Sequence, residues 1–381
     1  MSFRHFFFYI SIKIFVNNLK CDIISLVRSM NNINITTILL MAFIPFVFVT
    51  LITPVIKKIA FHVNALDLPG ERKVHNKPMP RLGGLGIYLG FLLGYMIFGE
   101  HTATMNSILI GSFIIVITGI IDDIKPLRAR YKLIGQFLAA LIVVFYGNLL
   151  LNDISFFGFY YNFGIWSYPI TIIFILGCIN CLNLIDGLDG LAGGISAIFF
   201  LTIGIIAYFQ GRIGLSVVIT FIMFGSTLGF LMHIFHPAKI FMGDSGSMFL
   251  GFIISVITLL GFKTVISTSI IIPLCILIVP ILDTLCAIIR RKINGESIAT
   301  PDKNHFHHQI LKINSSVSIT VLTIYLITIL FSAASIIWLL VDKNIGYIIY
   351  GALMLGLLIF VFSSDIIFKK DKKDLQKTTN K

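Results

Sequence analysis

The chain has 381 residues, of which 57% are hydrophobic and 12% charged, with a mean hydropathy of +0.97 and a formal net charge of +12 at pH 7. This lies far outside soluble globular usage and describes a polytopic membrane protein, for which length does not set the domain count. The basic excess lies in loops and the tail. That suits an anionic membrane face and phosphate-bearing ligands; there is no RNA- or DNA-binding signature, and no nucleic-acid partner is expected.

Residues 1–34 form an N-terminal extension of doubtful role. The apolar run at 6–16 is too short to span, is broken by Lys13 and lacks a small-residue cleavage site, so it makes a poor signal peptide. Met30 opens a stretch that leads cleanly into the first span, and the functional start is expected near it. Residues 35–368 read as a single transmembrane catalytic domain and 369–381 as a basic cytoplasmic tail. The expected fold is all-α, with about eleven spans near 35–56, 83–98, 106–121, 131–151, 165–184, 191–209, 213–235, 246–262, 268–289, 317–341 and 345–368. Aromatics and glycine alternate through NDISFFGFYYNFG, which predicts a short outer hairpin near 155–164.

Lysine and arginine set the orientation. One set of loops and the tail hold 22 of them, whereas the opposite loops hold Arg212, Lys263 and Lys343. The positive-inside rule makes the rich side cytoplasmic, with the N-terminus outside and the C-terminus inside the cell membrane. Arg4, Lys13, Lys20 and Arg28 run against this bias. Of the five cysteines, Cys178 and Cys181 form a C-x-x-C with no second pair at metal spacing; these and Cys275 and Cys286 read as small packing residues.

The polar motifs all fall on the basic side. NCLNLIDGLDGLAGG (180–194) places Asn180, Asn183, Asp186 and Asp189 three residues apart at a helix end, and its glycines allow close approach to the backbone. The bland alternative is an interhelical hydrogen-bond cluster. Asp122 and Asp123 end the third span. They point about 100° apart on a helix and so serve different roles. Asp244 lies in FMGDSGS, whose backbone N–H groups are expected to face an anion. Asp283 and the run His305, His307, His308 follow. Carboxylates with oxygen-only companions favour Mg²⁺ or Mn²⁺, and the histidines favour an anion over zinc. Asp67, Arg72, Lys73, His75, Lys77 and Arg81 in the first loop read either as a substrate-phosphate clamp or as an anchor on anionic lipid.

Five motifs together carry a family resemblance: LPGERKVHNKPMPRLGG, DDIKPLRARYKLIGQ, NCLNLIDGLDGLAGG, PAKIFMGDSGSMFLG and PDKNHFHH. Over residues 35–320 the chain resembles the polyprenyl-phosphate N-acetylhexosamine-1-phosphate transferases of glycosyltransferase family 4, integral membrane enzymes that start cell-envelope glycans. The resemblance implies transfer of an N-acetylhexosamine 1-phosphate from a UDP-N-acetylhexosamine to undecaprenyl phosphate, with release of UMP. It implies Asp122, with Asp123 beside it, at the lipid phosphate, and Asp186 and Asp189 arranging metal and nucleotide sugar. Asp244, with Asp189, would ligate magnesium. Lys132 would contact phosphate, Asn180 and Asn183 would lie on the substrate side, and His305, His307 and His308 near the sugar phosphate. In-line attack and a covalent intermediate both remain open, as does a homodimer. One departure is visible: Ile234 stands where the family usually has Asn, which leaves open both a base-contacting amide and its replacement by the neighbouring His233. The rival within the superfamily is phospho-N-acetylmuramoyl-pentapeptide transferase, with three consecutive histidines then an apolar residue and Glu; His305-Phe306-His307-His308-Gln309 favours the hexosamine branch. A transporter would place its acids near the bilayer midplane rather than at helix ends.

Overall fold

Inside a bilayer each backbone N–H and C=O must find its partner within its own segment, which leaves the helix as the form for these apolar runs. The computed structural model describes residues 34–68, 78–156, 159–212, 214–264, 270–295, 305–314 and 316–363. The N-terminal extension, the basic tail, and Arg72, Lys73, His75 and Lys77 lie outside the described residues. The helices are α1 (Ile35–His62), α2 (Gly83–Phe98), α3 (Ala103–Ile124), α4 (Ala129–Leu141), α5 (Ser167–Ile185), α6 (Leu191–Phe209), α7 (Leu215–Ile234), α8 (Gly243–Thr264), α9 (Ile271–Ile276), α10 (Ile278–Ile293), α11 (Phe306–Asn314), α12 (Val317–Leu340) and α13 (Lys343–Ser363). A π-helical turn, Ile142–Tyr146, extends α4.

Among the described residues nine helical stretches are long and apolar enough to cross a membrane, and α2 is a shorter apolar helix. Large apolar side chains such as Phe43, Phe113, Ile173, Ile348 and Phe362 point outward, as a bilayer-facing surface requires. This is a multi-pass membrane protein. The segment expected as one span at 268–289 is instead broken into α9 and α10 at Leu277. Pro280 is the cause: it has no N–H to offer the carbonyl of Ile276, and its ring would clash with that carbonyl in a continuous helix.

The expected hairpin is present, two residues earlier than its predicted start: β3 (Asp153–Phe156) pairs antiparallel with β4 (Phe159–Asn162), Ile154 opposite Tyr161. A second antiparallel pair was not foreseen. β1 (Leu66–Asp67) meets β2 (Met79–Pro80), Leu66 opposite Pro80, and draws the two ends of the first loop together.

α8 is the centre of the bundle. Nearly all of its spanning stretch is buried, and it packs against α2, α3, α5, α6 and α7. Lipid gives helices no hydrophobic reason to associate, so close packing of small residues takes that role. Gly84 at the start of α2 lies directly on the backbone of Gly246 at the start of α8; a Cβ on Gly84 would overlap the Gly246 nitrogen and Cα. Two helix starts are thereby joined at one end of the bundle, where the site lies.

Candidate active site

The end of α3 and the start of α8 bring three carboxylates together. One oxygen from each of Asp122, Asp123 and Asp244 lies within 4.8 Å of the others. As expected, the adjacent pair on α3 divides its work. Asp123 accepts hydrogen bonds from the backbone N–H of Asp244 (2.8 Å) and of Ser245 (3.2 Å) and from the Ser245 hydroxyl (2.7 Å). The first N–H groups of a helix lack intrahelical partners and carry its positive dipole end. The anion that the FMGDSGS amides meet is thus a carboxylate of the chain itself. Asp122 accepts the Leu127 backbone N–H at 2.8 Å and pairs with Lys132 at 2.9 Å. Lys132, in the first turn of α4, also pairs with Asp244 at 2.5 Å.

A second cation faces the same carboxylates. Arg81 lies 3.5 Å from Asp244, 3.7 Å from Asp123 and 3.6 Å from Asp67 on β1. Its backbone is tied down: Arg81 N–H donates to Ala65, Phe241 N–H to Pro80, Gly83 N–H to Phe241 and Gly84 N–H to Met242. PRLGG and FMGD are zipped together. Burial works against the charge of Arg81, but Asp123, Asp244, Asp67 and Asp122 outweigh it and its pKa is raised.

The four polar residues at the end of α5 fan out. The Asn180 amide donates to Gln136 on α4 and to the Leu176 carbonyl, both at 2.8 Å, and the Asn183 amide donates to Ser247 on α8 at 2.9 Å. Their donors hold helices together, as the interhelical alternative has it. Asp186 follows the last residue of α5. Desolvation first, then the field of Asp244, raises its pKa to about 8, with Asp123 and Asp189 adding and Arg81 offsetting. Asp189 is turned away from the three-carboxylate group: it pairs with His236 at 2.7 Å and accepts the Ala238 N–H at 3.2 Å. Both contacts use the same oxygen, and the group of three closely spaced carboxylates is formed by Asp122, Asp123 and Asp244. The glycines do admit close neighbours, and the chain supplies them. The Tyr325 hydroxyl of α12 donates to the Gly190 carbonyl at 2.6 Å. A Cβ on Gly187 would lie 2.5 Å from His307 Nε2.

The histidines gather on Asp283 of α10. Asp283 accepts the Phe306 N–H at 2.7 Å, lies 3.1 Å from His305 Nδ1 and 3.9 Å from His307 Nδ1. His307 is 1% exposed. Desolvation lowers its pKa to about 3, only partly offset by Asp283, so it is neutral at pH 7 and gives no imidazolium for an anion. Among the described residues the metal-capable spacing is met by the carboxylates, not by the histidines.

The comparisons bear on this arrangement. Residues 105–262, which include the candidate site acids Asp122, Asp123, Asp186, Asp189 and Asp244, match glycosyl transferase family 4. A Bacillus subtilis protein named probable undecaprenyl-phosphate N-acetylglucosaminyl 1-phosphate transferase is 45% identical over 292 residues, covering 76% of this chain and 81% of the relative. The chain belongs to glycosyltransferase family 4. Within that family it is also similar to a decaprenyl-phosphate N-acetylglucosaminephosphotransferase of Mycobacterium leprae, 31% identical over 336 residues and covering 80% of this chain and 84% of the relative. An undecaprenyl-phosphate alpha-N-acetylglucosaminyl 1-phosphate transferase of Escherichia coli K12 is 29% identical over 297 residues, covering 74% and 78%.

In this family-4 chain Ile234 is buried, and His233 bonds the Thr50 carbonyl of α1 at 2.9 Å through Nε2. The side chain in that region that reaches a site acid is His236. Sequence reasoning passed over Gln136 and Ser245, and named Arg81 only within the first-loop clamp reading. Arg81 stood in a quoted motif, but there it is one basic residue among several; only the β1–β2 pairing singles it out.

Proposed function

We propose that this chain transfers N-acetylglucosamine 1-phosphate from UDP-N-acetylglucosamine to undecaprenyl phosphate and releases UMP, the first membrane step of a cell-envelope glycan. The observation that carries this reading is the convergence of Asp122, Asp123 and Asp244 with Lys132 and Arg81 at the ends of spanning helices. A phosphate carried on a lipid presents itself there, at the boundary of bilayer and water. The similar proteins named above bear the names of this reaction class.

Oxygen-only donors suit a hard cation, and the Lys132 ammonium already bridging Asp122 and Asp244 marks a place that takes positive charge. Asp122 and Asp244 would hold Mg²⁺ or Mn²⁺, with Asp123 beside them. When bound, such an ion neutralises charge on the transferred phosphoryl group. The residues do the rest. Asp123 fixes the first turn of α8 and so aims Asp244. Asp122, with one oxygen on the Leu127 amide and the other paired with Lys132, is placed to orient the attacking lipid phosphate. The histidine cluster on Asp283 offers ring nitrogens as hydrogen-bond partners for a sugar phosphate.

The basic face is proposed to be cytoplasmic, where UDP-sugars are made. In a cysteine-free active variant, Lys125→Cys is expected to react with impermeant reagent only from the cytoplasmic side. The reaction itself is tested with purified protein, undecaprenyl phosphate and a panel of sugar nucleotides, scoring UMP and lipid-linked product. UDP-N-acetylglucosamine is expected to give both. Absence of UMP release with every UDP-N-acetylhexosamine would overturn the proposal.

A further inference from the structure

Two cations face the carboxylate group, and they are held very differently. Lys132 is engaged at 2.5 Å by Asp244 and at 2.9 Å by Asp122, so two of its three donors are committed. Arg81 has five N–H donors in a planar fork. Its approaches to Asp67, Asp123 and Asp244 are 3.5–3.7 Å, and among the described residues only the one to Asp244, at 3.5 Å, counts as a side-chain hydrogen bond. Charge-assisted hydrogen bonds made in earnest are about 2.7–2.9 Å. The guanidinium therefore feels the carboxylates without having its donors consumed by them. Its side chain is 27% exposed, whereas that of Asp123 is fully covered.

Its position is built rather than incidental. Backbone hydrogen bonds to Ala65, Phe241 and Met242 secure the residues on either side of it, and the Gly84–Gly246 contact locks the start of α2 onto the start of α8. The backbone thus fixes the point from which the fork reaches toward Asp244. A guanidinium placed this way matches the paired oxygens of a phosphate, which an ammonium meets only as a point charge.

We infer that Arg81 is a catalytic phosphate contact of this enzyme, taking over the role that the sequence assigned to Lys132. The inference rests on the proposed reaction, which brings two phosphate sources to this place: the diphosphate of the sugar nucleotide and the phosphate of the lipid acceptor.

The test compares wild type, Arg81→Gln and Arg81→Lys as full-length purified protein at fixed magnesium. Binding of UDP and of uridine is measured by calorimetry, and KM for undecaprenyl phosphate by turnover. In Arg81→Gln, either UDP affinity falls about 10- to 100-fold while uridine affinity is unchanged, or KM for undecaprenyl phosphate rises by that factor, the size of one or two charge-assisted hydrogen bonds. The first result places the fork on the donor and the second on the acceptor; both support the inference. Arg81→Lys keeps the charge and loses the fork, and a smaller loss in the same arm is expected; it carries the comparison should Arg81→Gln not fold. The inference is overturned if both arms stay at wild-type values, if uridine and UDP weaken equally, or if the variant only raises the magnesium needed for half-maximal activity. If wild-type protein binds UDP no better than uridine and releases no UMP, it is the proposed function that fails, not the placement of Arg81.

Discussion

Asp123 and Ser245 lie on different helices and share two hydrogen bonds, the carboxylate of α3 accepting both the backbone N–H and the hydroxyl of the residue in the first turn of α8. One helix thus caps another, and the cap stands beside Asp244. Its removal should therefore harm stability and activity together. Asp123→Ala is expected to cost about 1–2 kcal/mol, the loss of a good N-cap, and to lower turnover sharply. Asp123→Asn keeps an accepting oxygen and should unfold closer to wild type. Thermal unfolding in detergent, run beside UMP release, checks both; an Asp123→Ala protein as stable as wild type would refute the capping role.

The approach of His307 to Gly187 couples the histidine helix to the acid turn. Gly187→Ala places a methyl group against the imidazole and is expected to destabilise by about 1–3 kcal/mol, the usual cost of overpacking. His307→Ala relieves that clash. The double variant should then be less destabilised than the sum of the two single changes, which a double-mutant cycle measures directly. Strict additivity would mean the two residues do not touch.

His307 also carries a pH signature. Its folded pKa of about 3 lies below the ordinary value of 6.5, so between those pH values the unfolded chain binds more protons than the folded one. Stability from this group is fully present above about pH 6.5 and is lost as pH falls toward about 3. Thermal midpoints followed from pH 8 to pH 4 should decline, and His307→Gln should flatten the decline. A variant with an unchanged pH slope would remove His307 as its cause.

Asp244→Asn keeps size and polarity and removes the charge a hard cation prefers. Turnover is expected to fall about 100-fold or more, with only partial rescue by excess magnesium. Activity should also vanish in excess chelator and return with Mg²⁺ or Mn²⁺. Asp342, in the loop before α13, is the control. It accepts the N–H groups of Asn344 and Ile345 as a helix cap, and Asp342→Asn preserves the accepting oxygen, so activity should be near wild type. Persistent activity in chelator, or an Asp244→Asn enzyme with normal turnover, would end the metal reading.

The spans, the hairpin and the grouping of acids on the basic side were legible in the chain because each follows from local pattern. Long apolar runs have one way to satisfy their backbone in lipid, and Lys/Arg counts need no contacts to be read. The motifs sufficed for the family. The break at Leu277 was also written locally, in Pro280, but a window average of hydropathy smooths over a single proline. What the sequence by itself did not determine is which partner each polar group meets. FMGDSGS looks equally ready for any anion, and only the packing of α3 against α8 makes that anion Asp123. Asn180 and Asn183 could face ligand or neighbouring helix; Gln136 and Ser247 stand where the helices cross and take their donors. The partners of Asp189 and Arg81 were hidden for the same reason. Their separation in the chain from the residues they meet, His236 and Asp244, is bridged by backbone pairing that no local pattern announces. Hydrogen bonds and ion pairs are short-ranged and directional, so their assignment depends on ångström positions that exist only once the helices have packed.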